Sequence, residues 1–383
     1  MSNEKRVKAA VMREFGRLQI ESFPYPEVDT DSMVVEMILA GICGTDKHLF
    51  EGKNKDAPLP MILGHENIAR IEKLGERASG ELEVTGKKLS VGDRITWFGA
   101  IPCGKCWYCR WVPQNHPGIL CTSPFAYGQT SCEVPPHLFG GYAEKVFIKP
   151  GVWVWKIPDE IPDKAALLVD IFASVGGVIR AMEPYASVKE GFGPSDVAAV
   201  QGAGPIGIAA GMTAKLCGAH KIILVGAPRH RLDLAKRLGI FDHFINIDEV
   251  TDAKERVALV KKWSPGEVGP DLVVDCTGVP EAVPEGIDMV RRGGTFVEIG
   301  SFVDTGEVTI SPFKHMCWKD ITIIGQFGCP PHYYDRCLKF VEMALKQGWP
   351  LEAMVTHLFP LEKAQEAMET GKKLEGMKIA LHP

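Results

Sequence analysis

The run DVAAVQGAGPIGIAAGMTAKLCG, residues 196–218, constrains the fold more than any other part of the chain. A β-like segment runs into Gly202, Gly204 and Gly207, spaced G-x-G-x-x-G, and an apolar helical segment follows. In that context the first glycine permits a tight turn, the second lets backbone approach a pyrophosphate, and the third lets helix pack on strand. The helix N-terminus is left facing the anion. Strand-like and helix-like runs then alternate: KIILVGA, RHRLDLAKRLG, DHFINI, a helix over 252–263, DLVVDCTG, VPEGIDMVRRGG and TFVEIG. This alternation predicts an α/β unit built on a doubly wound parallel sheet.

The second strand of such a unit usually ends in an acid that binds the adenosine ribose. Here it ends in Gly226, followed by Arg229 and Arg231. Gly226 neither grips the ribose nor repels a 2′-phosphate, so NAD and NADP are both expected to be accepted. Arg231 also reads as a solvated residue at a helix start. Pro205, Ile206, Thr277, Gly300, Gly325 and Phe327 are further candidate cofactor contacts.

The flanks differ. Residues 7–155 carry short β-like runs, MVVEMILAG, ENIARIEKLG, DRITWFG and YAEKVFIKP, broken by Gly, Pro and Asp. Apolar residues at helical spacing after a Pro-Asp start predict a helix over 162–182. From residue 320 strand-like runs and YYDRCLKFVEMALKQG suggest a return to the first domain. The expected layout is 1–165 for the first domain, 166–320 for the nucleotide-binding domain and 321–383 for the return.

Four cysteines stand in CGKCWYCRWVPQNHPGILC, residues 103–121. Their meaning depends on compartment. No secretory h-region is visible at the N-terminus, so a cytoplasmic protein with reduced thiols is expected. Eleven cysteines in 383 residues do not make a disulfide scaffold. Cys103, Cys106, Cys109 and Cys121 therefore read as a four-thiolate zinc site, with His116 and Cys132 as rivals for the fourth place; surface thiols or an iron–sulfur cluster are the alternative uses. Four protein ligands leave no open position, so such a zinc is structural. A net charge of −5 gives no case for nucleic acid or membrane partners, and a small molecule is expected.

A quieter constellation lies elsewhere. GICGTDKH supplies Cys43, Thr45, Asp46 and His48, and ILGHENIA supplies His65 and Glu66. Taken singly, Cys43 reads as a small buried hydrophobe and His65 as a core histidine. Asp170 interrupts ALLVDIFASV, where an unpaired carboxylate would be costly and a metal would relieve the cost.

GICGTDKH, LGHE, the four-cysteine lobe, QGAGPIG and DLVVDCTG, in this order over almost the whole chain, resemble the zinc-dependent medium-chain dehydrogenase/reductase family. The resemblance implies a GroES-like β-barrel catalytic domain at both chain ends with a Rossmann domain between. It implies two zinc ions per chain, with Cys43, His65 and Asp170 holding the catalytic one, although relatives usually carry Cys or Glu at the Asp170 position. Glu66 is then a neighbouring group able to swing onto the metal, and Asp46 orients His65. The reaction implied is hydride transfer between an alcohol and NAD(P), with Thr45 taking the alcohol proton and passing it through the cofactor ribose to His48.

Polyol-specific relatives place a Tyr shortly after the His48 position and an Arg-Tyr pair in a late loop. Here those places hold Leu49, and Gly328 and Cys329, which shifts the expectation toward a less polar or cyclic secondary alcohol. Phe50, Trp97, Phe98 and His332 are candidates for the pocket or equally for core. A zinc-independent quinone or enone reductase and a non-catalytic nucleotide-binding relative are the rival readings. The run TFVEIGSFVDTGEVTISP suggests a hairpin whose free edge would pair between subunits, giving a homodimer or homotetramer.

Overall fold

The computed structural model describes residues 5–112, 119–183, 191–329 and 331–383. The chain divides into two compact units. One comprises Met1–Asp170, Pro330–Val341 and Glu352–Pro383, the other Ile171–Cys329 and Glu342–Leu351. The return does not start at 321 as expected: 321–329 group with the second unit, whose sheet takes Thr322–Gly325, and the return is made in two pieces because 342–351 also packs with the second unit.

The first unit is antiparallel for the most part. Its larger sheet runs in the order Val154–Lys156, Arg94–Trp97, Glu66–Leu74, Met33–Gly41, Lys378–His382, Val355–Pro360, with Lys145–Ile148 also paired to Met33–Gly41. A three-stranded sheet adds Arg17–Pro24, Arg6–Glu14 and Met61–Ile62. Val7, Val11, Met33, Val35, Ile71, Ile95, Trp97 and Tyr142 are among the side chains of one continuous core. The C-terminal strand enters this sheet against Met33–Gly41, pairing Leu381 with Ala40. Residues from the far end of the chain thereby reach the segment that carries Cys43.

The second unit is a six-stranded, wholly parallel sheet in the order His243–Asn246, Lys221–Gly226, Val197–Gln201, Leu272–Asp275, Thr295–Glu298, Thr322–Gly325. The chain starts in the middle, winds outward one way and then the other, which is the doubly wound arrangement. The strands are rich in Val and Ile because both faces are covered.

Two local expectations fail. The segment 162–182 forms three short helices, Asp163–Ala166, Val169–Ser174 and Gly176–Arg180, in place of one. The hairpin expected over 295–312 is absent: Thr295–Glu298 is a strand, but 301–311 pairs with nothing among the described residues, and Ser311 caps a helical turn, Pro312–Cys317. The edge of the sheet is Thr322–Gly325 instead.

Candidate active site and nucleotide cradle

The helix Gly44–Phe50 begins at Cys43 with a reciprocal capping box that Asp46 closes. Asp46 is fully buried; its Oδ2 accepts from the Cys43 backbone N–H at 2.8 Å and its Oδ1 from that of Gly64 at 3.3 Å. The same carboxylate faces Nδ1 of His65 at 3.4 Å, which leaves Nε2 as the atom available to a metal. Burial opposes charge on both groups, yet their attraction holds Asp46 below its ordinary pKa and His65 well above its own. One capping residue therefore fixes both the thiol and the imidazole.

Ligand atoms of Cys43, His65 and Glu66 lie within 4.8 Å of one another. Asp170, on the helix Val169–Ser174, is not among these three. It accepts a hydrogen bond from the Tyr334 hydroxyl, and the Tyr334 ring stacks on Trp155 at 4.6 Å. Burial and the Glu66 carboxylate push Asp170 above the ordinary carboxylate range. Glu66 is paired with Lys378, which sequence reasoning missed; a single cation inside the apolar strand KIALH was the available signal. Tyr334 was missed as well, and nothing in its local sequence marks it.

The chemistry of the set suits zinc: a thiolate, an imidazole oriented by a carboxylate, and nearby carboxylates. Thr45 is brought to it, with its hydroxyl 3.8 Å from the Cys43 sulfur. His48, one turn further along the helix, is half-buried with Nδ1 lacking a hydrogen-bond partner, and burial lowers its pKa. Of the suggested pocket residues, Phe50 and Trp97 belong to the core, Phe98 packs edge-on against Tyr334, and His332 is exposed beside Tyr333. Leu49 is buried too.

The other cysteines also converge. Sulfur atoms of Cys103, Cys106, Cys109 and Cys121 lie within 4.8 Å of one another. Cys121 Sγ accepts from the Cys103 N–H at 3.2 Å, and the backbone N–H groups of Thr122 and Cys109 pull the Cys106 thiol down to about 6. These are the donors a thiolate cluster needs. Cys132 is not part of it and lies in the core of the first unit, while His116 is outside the described residues.

In the second unit Gly202 has φ +105°, and a Cβ on Gly207 would lie 1.8 Å from the Gly202 carbonyl, so the turn and the helix it feeds require glycine at both places. Gly204 caps the helix Pro205–Leu216. Gly226 meets this turn directly: a Cβ there would come within 2.6 Å of the Ala203 nitrogen. Arg231 is not the solvated residue its position suggested. It is 8% exposed, and its guanidinium lies 3.7 Å from where a Gly204 Cβ would be. Arg229 is exposed and engaged by Glu249. Thr277 follows Asp275, which accepts its N–H at 2.8 Å; Phe327 is exposed and stacked on Phe302. Beside Gly325 a Cβ would meet nothing, so that position is open.

Comparison with known proteins settles the family. Residues 29–159 match the alcohol dehydrogenase GroES-like domain, and residues 205–343 the zinc-binding dehydrogenase domain. D-arabinitol dehydrogenase 1 of Uromyces fabae is 30% identical over 94% of this chain and 92% of its own length. The chain belongs to the zinc-dependent medium-chain dehydrogenase/reductase family. It is a zinc- and NAD(P)-dependent oxidoreductase that interconverts alcohols and carbonyl compounds. The 5-exo-hydroxycamphor dehydrogenase of Pseudomonas putida is similar at 29% identity over 95% of both chains. Among solved structures, an alcohol dehydrogenase from Thermotoga maritima superposes with a TM-score of 0.88 at 27% identity, covering 99% of this chain and 100% of its own.

Proposed function

We propose that Cys43, His65 and a carboxylate hold the catalytic zinc, and that the substrate is a secondary alcohol of cyclic or weakly polar character. The observation that carries the first part is the Asp46 contact network, which aims the Cys43 thiol and His65 imidazole at one place. For the carboxylate, two residues compete. Glu66 is the nearer, but Lys378 already balances its charge. Burial and the Glu66 carboxylate both disfavour charge on Asp170, a cost that a bound cation would relieve, and we assign it as third ligand.

Zinc bound there supplies Lewis acidity that makes an alcohol hydroxyl acidic near neutral pH, and NAD(P) supplies the acceptor for the hydride. Thr45, beside the Cys43 sulfur, takes the hydroxyl proton. His48, kept neutral by burial, receives it and releases it to solvent. Asp46 holds His65 in one orientation throughout, and Tyr334 does the same for Asp170.

The substrate class rests on Leu49 and on Gly328 and Cys329, which offer none of the polar groups a polyol would need, and on the relative named for hydroxycamphor, a cyclic alcohol. The relative named for arabinitol keeps polyols in the comparison. Initial rates over matched cyclic, acyclic and polyol alcohols with both nicotinamide cofactors test this. Cyclic secondary alcohols should give the highest kcat/KM, and a preference for polyols would overturn it.

The Cys103, Cys106, Cys109 and Cys121 cluster is proposed to hold a second, structural zinc. Acceptance of both NAD and NADP follows from Gly226, while Arg231 beneath the glycine turn is a cation for phosphate oxygens common to both. No described helix is long and apolar enough to cross a membrane, and a cytoplasmic location remains part of the proposal. Homo-oligomerisation is proposed from exposed Phe302, Phe313, Trp318 and Ile323 around the free edge strand, an unusual run of large apolar side chains to leave in water. A concentration-independent monomer in light scattering would contradict it.

A further inference from the structure

We infer that Asp275 and Glu298 share one proton, and that this proton positions the two turns bearing Thr277 and Gly300 so that dinucleotide affinity falls as pH rises past neutrality. The inference rests on reading the glycine turn at 202–207 as the dinucleotide cradle.

Gln201, Asp275 and Glu298 are the last residues of three adjacent parallel strands and are in register, Gln201 beside Asp275 and Asp275 beside Glu298. They point to the same face as the buried Ala199, Val273 and Phe296 two residues earlier. This is the carboxyl end of the sheet, where open α/β folds bind their ligands. Asp275 is 0% exposed. Its Oδ1 accepts the Thr277 N–H and Glu298 Oε1 accepts the Ser301 N–H, each at 2.8 Å. The remaining oxygens, Asp275 Oδ2 and Glu298 Oε2, are buried with no hydrogen-bond donor.

Among the described residues no hydrogen-bond donor serves them, and Arg180, on the helix Gly176–Arg180 packed against the strand Thr295–Glu298, donates to the Gly325 carbonyl instead. On the strand Val197–Gln201 the facing side chain is neutral Gln201, whose amide N–H goes to the Ala282 carbonyl. The acids of the packed helix Ala282–Met289 are engaged elsewhere, Glu285 by Arg256 and Asp288 by Lys314 and His315. Cys276 is a further titratable neighbour, and burial with the two carboxylates holds its thiol well above ordinary. Burial and Glu298 push Asp275 up to about 7. A proton held between the two carboxyls satisfies both orphaned oxygens at once.

The pair sits at the root of turns that touch. A Cβ on Gly300 would lie 2.4 Å from the Gly278 nitrogen, and one on Gly202 would lie 3.1 Å from the Cys276 carbonyl and 3.4 Å from Thr277 Cγ2. The three turns are thus packed against one another. Losing the proton sets two carboxylates against each other beneath these turns and adds a negative charge near a cradle for a pyrophosphate. Both effects weaken binding.

The test is the dissociation constant for NADH, followed by fluorescence titration of the full chain from about pH 6 to about pH 8.5. In the wild type it should rise several-fold across that range. Asp275→Asn and Glu298→Gln each keep a hydrogen bond between the two side chains without a shared proton, so each should bind NADH with little pH dependence. A flat wild-type profile with measurable binding, or an unchanged slope in the variants, overturns the inference while leaving the cradle intact. No binding at any pH overturns the cradle and the pair's role together. Melting temperature gives an independent reading. A raised carboxyl pKa makes wild-type stability fall as pH climbs from about 4 to about 7, so the advantage of Asp275→Asn should grow over that window and then level. A gap that does not change with pH overturns the shared proton.

Discussion

The ammonium of Lys378 lies against the carboxylate of Glu66, and only 3% of either side chain reaches solvent. Burial works to discharge the lysine, yet Glu66 holds its pKa above the ordinary value. The pair ties the C-terminal strand Lys378–His382 to the strand Glu66–Leu74. Lys378→Ala leaves a buried carboxylate uncompensated and should cost about 3–5 kcal/mol of stability in denaturant titrations. Combining Lys378→Met with Glu66→Gln removes both charges and should recover most of that loss.

Tyr334→Phe keeps the ring stacked on Trp155 and removes only the donor to Asp170. Zinc affinity at the catalytic site, measured by chelator competition, should fall about 10–100-fold with little change in melting temperature. Asp170→Ala should empty that site and abolish turnover. If Glu66→Gln does so instead and Asp170→Ala does not, Glu66 is the ligand.

The two cysteine sets should fail differently. Cys106→Ser removes one of four thiolates from a closed site and should lower both metal content and thermal stability, because metal binding there is folding free energy. Cys43→Ser should lose activity with a smaller stability loss. Elemental analysis should give two zinc ions per wild-type chain, and one in either variant.

His48 should shape the acid limb of the rate profile. Burial, with Lys53 and Lys47 nearby, depresses its pKa, so the neutral form persists below the ordinary histidine value. His48→Gln should lower kcat most where proton release limits the rate and flatten the acid limb. The depressed pKa also means that folding stability tied to neutral His48 is full above about pH 6.5 and declines as pH drops toward the folded value.

The cofactor turn leaves no room beside Gly226. Even Gly226→Ala sets a methyl 2.6 Å from the Ala203 nitrogen and should weaken NADH and NADPH binding alike. An acid introduced there would disturb the turn before it could reach a ribose. Arg231→Ala should likewise weaken both cofactors, since its guanidinium lies beneath Gly204.

What was legible in the sequence were features with local causes. The glycine spacing at 202–207, the Val- and Ile-rich strands and the closely spaced cysteines each dictate a structure within a few residues of themselves. Features made by distant partners were harder to see. Lys378 has meaning only against Glu66, and Tyr334 only against Asp170. Arg231 looked solvated because a helix start usually is, and only the fold puts it under Gly204. The hairpin expected over 295–312 does not form, although Asp304 and Gly306 make a local turn there. Ser311 and Pro312 were the competing signals, since together they start a helical turn.

The most direct test is the initial rate of NAD reduction with a cyclic secondary alcohol, measured on zinc-replete wild type and Cys43→Ser side by side. The wild type should turn over, and the variant should be slower by about a thousandfold or more, equivalent to about 4 kcal/mol of barrier. Equal rates in the two proteins would contradict this, because the Cys43 and His65 site would then play no part in the reaction.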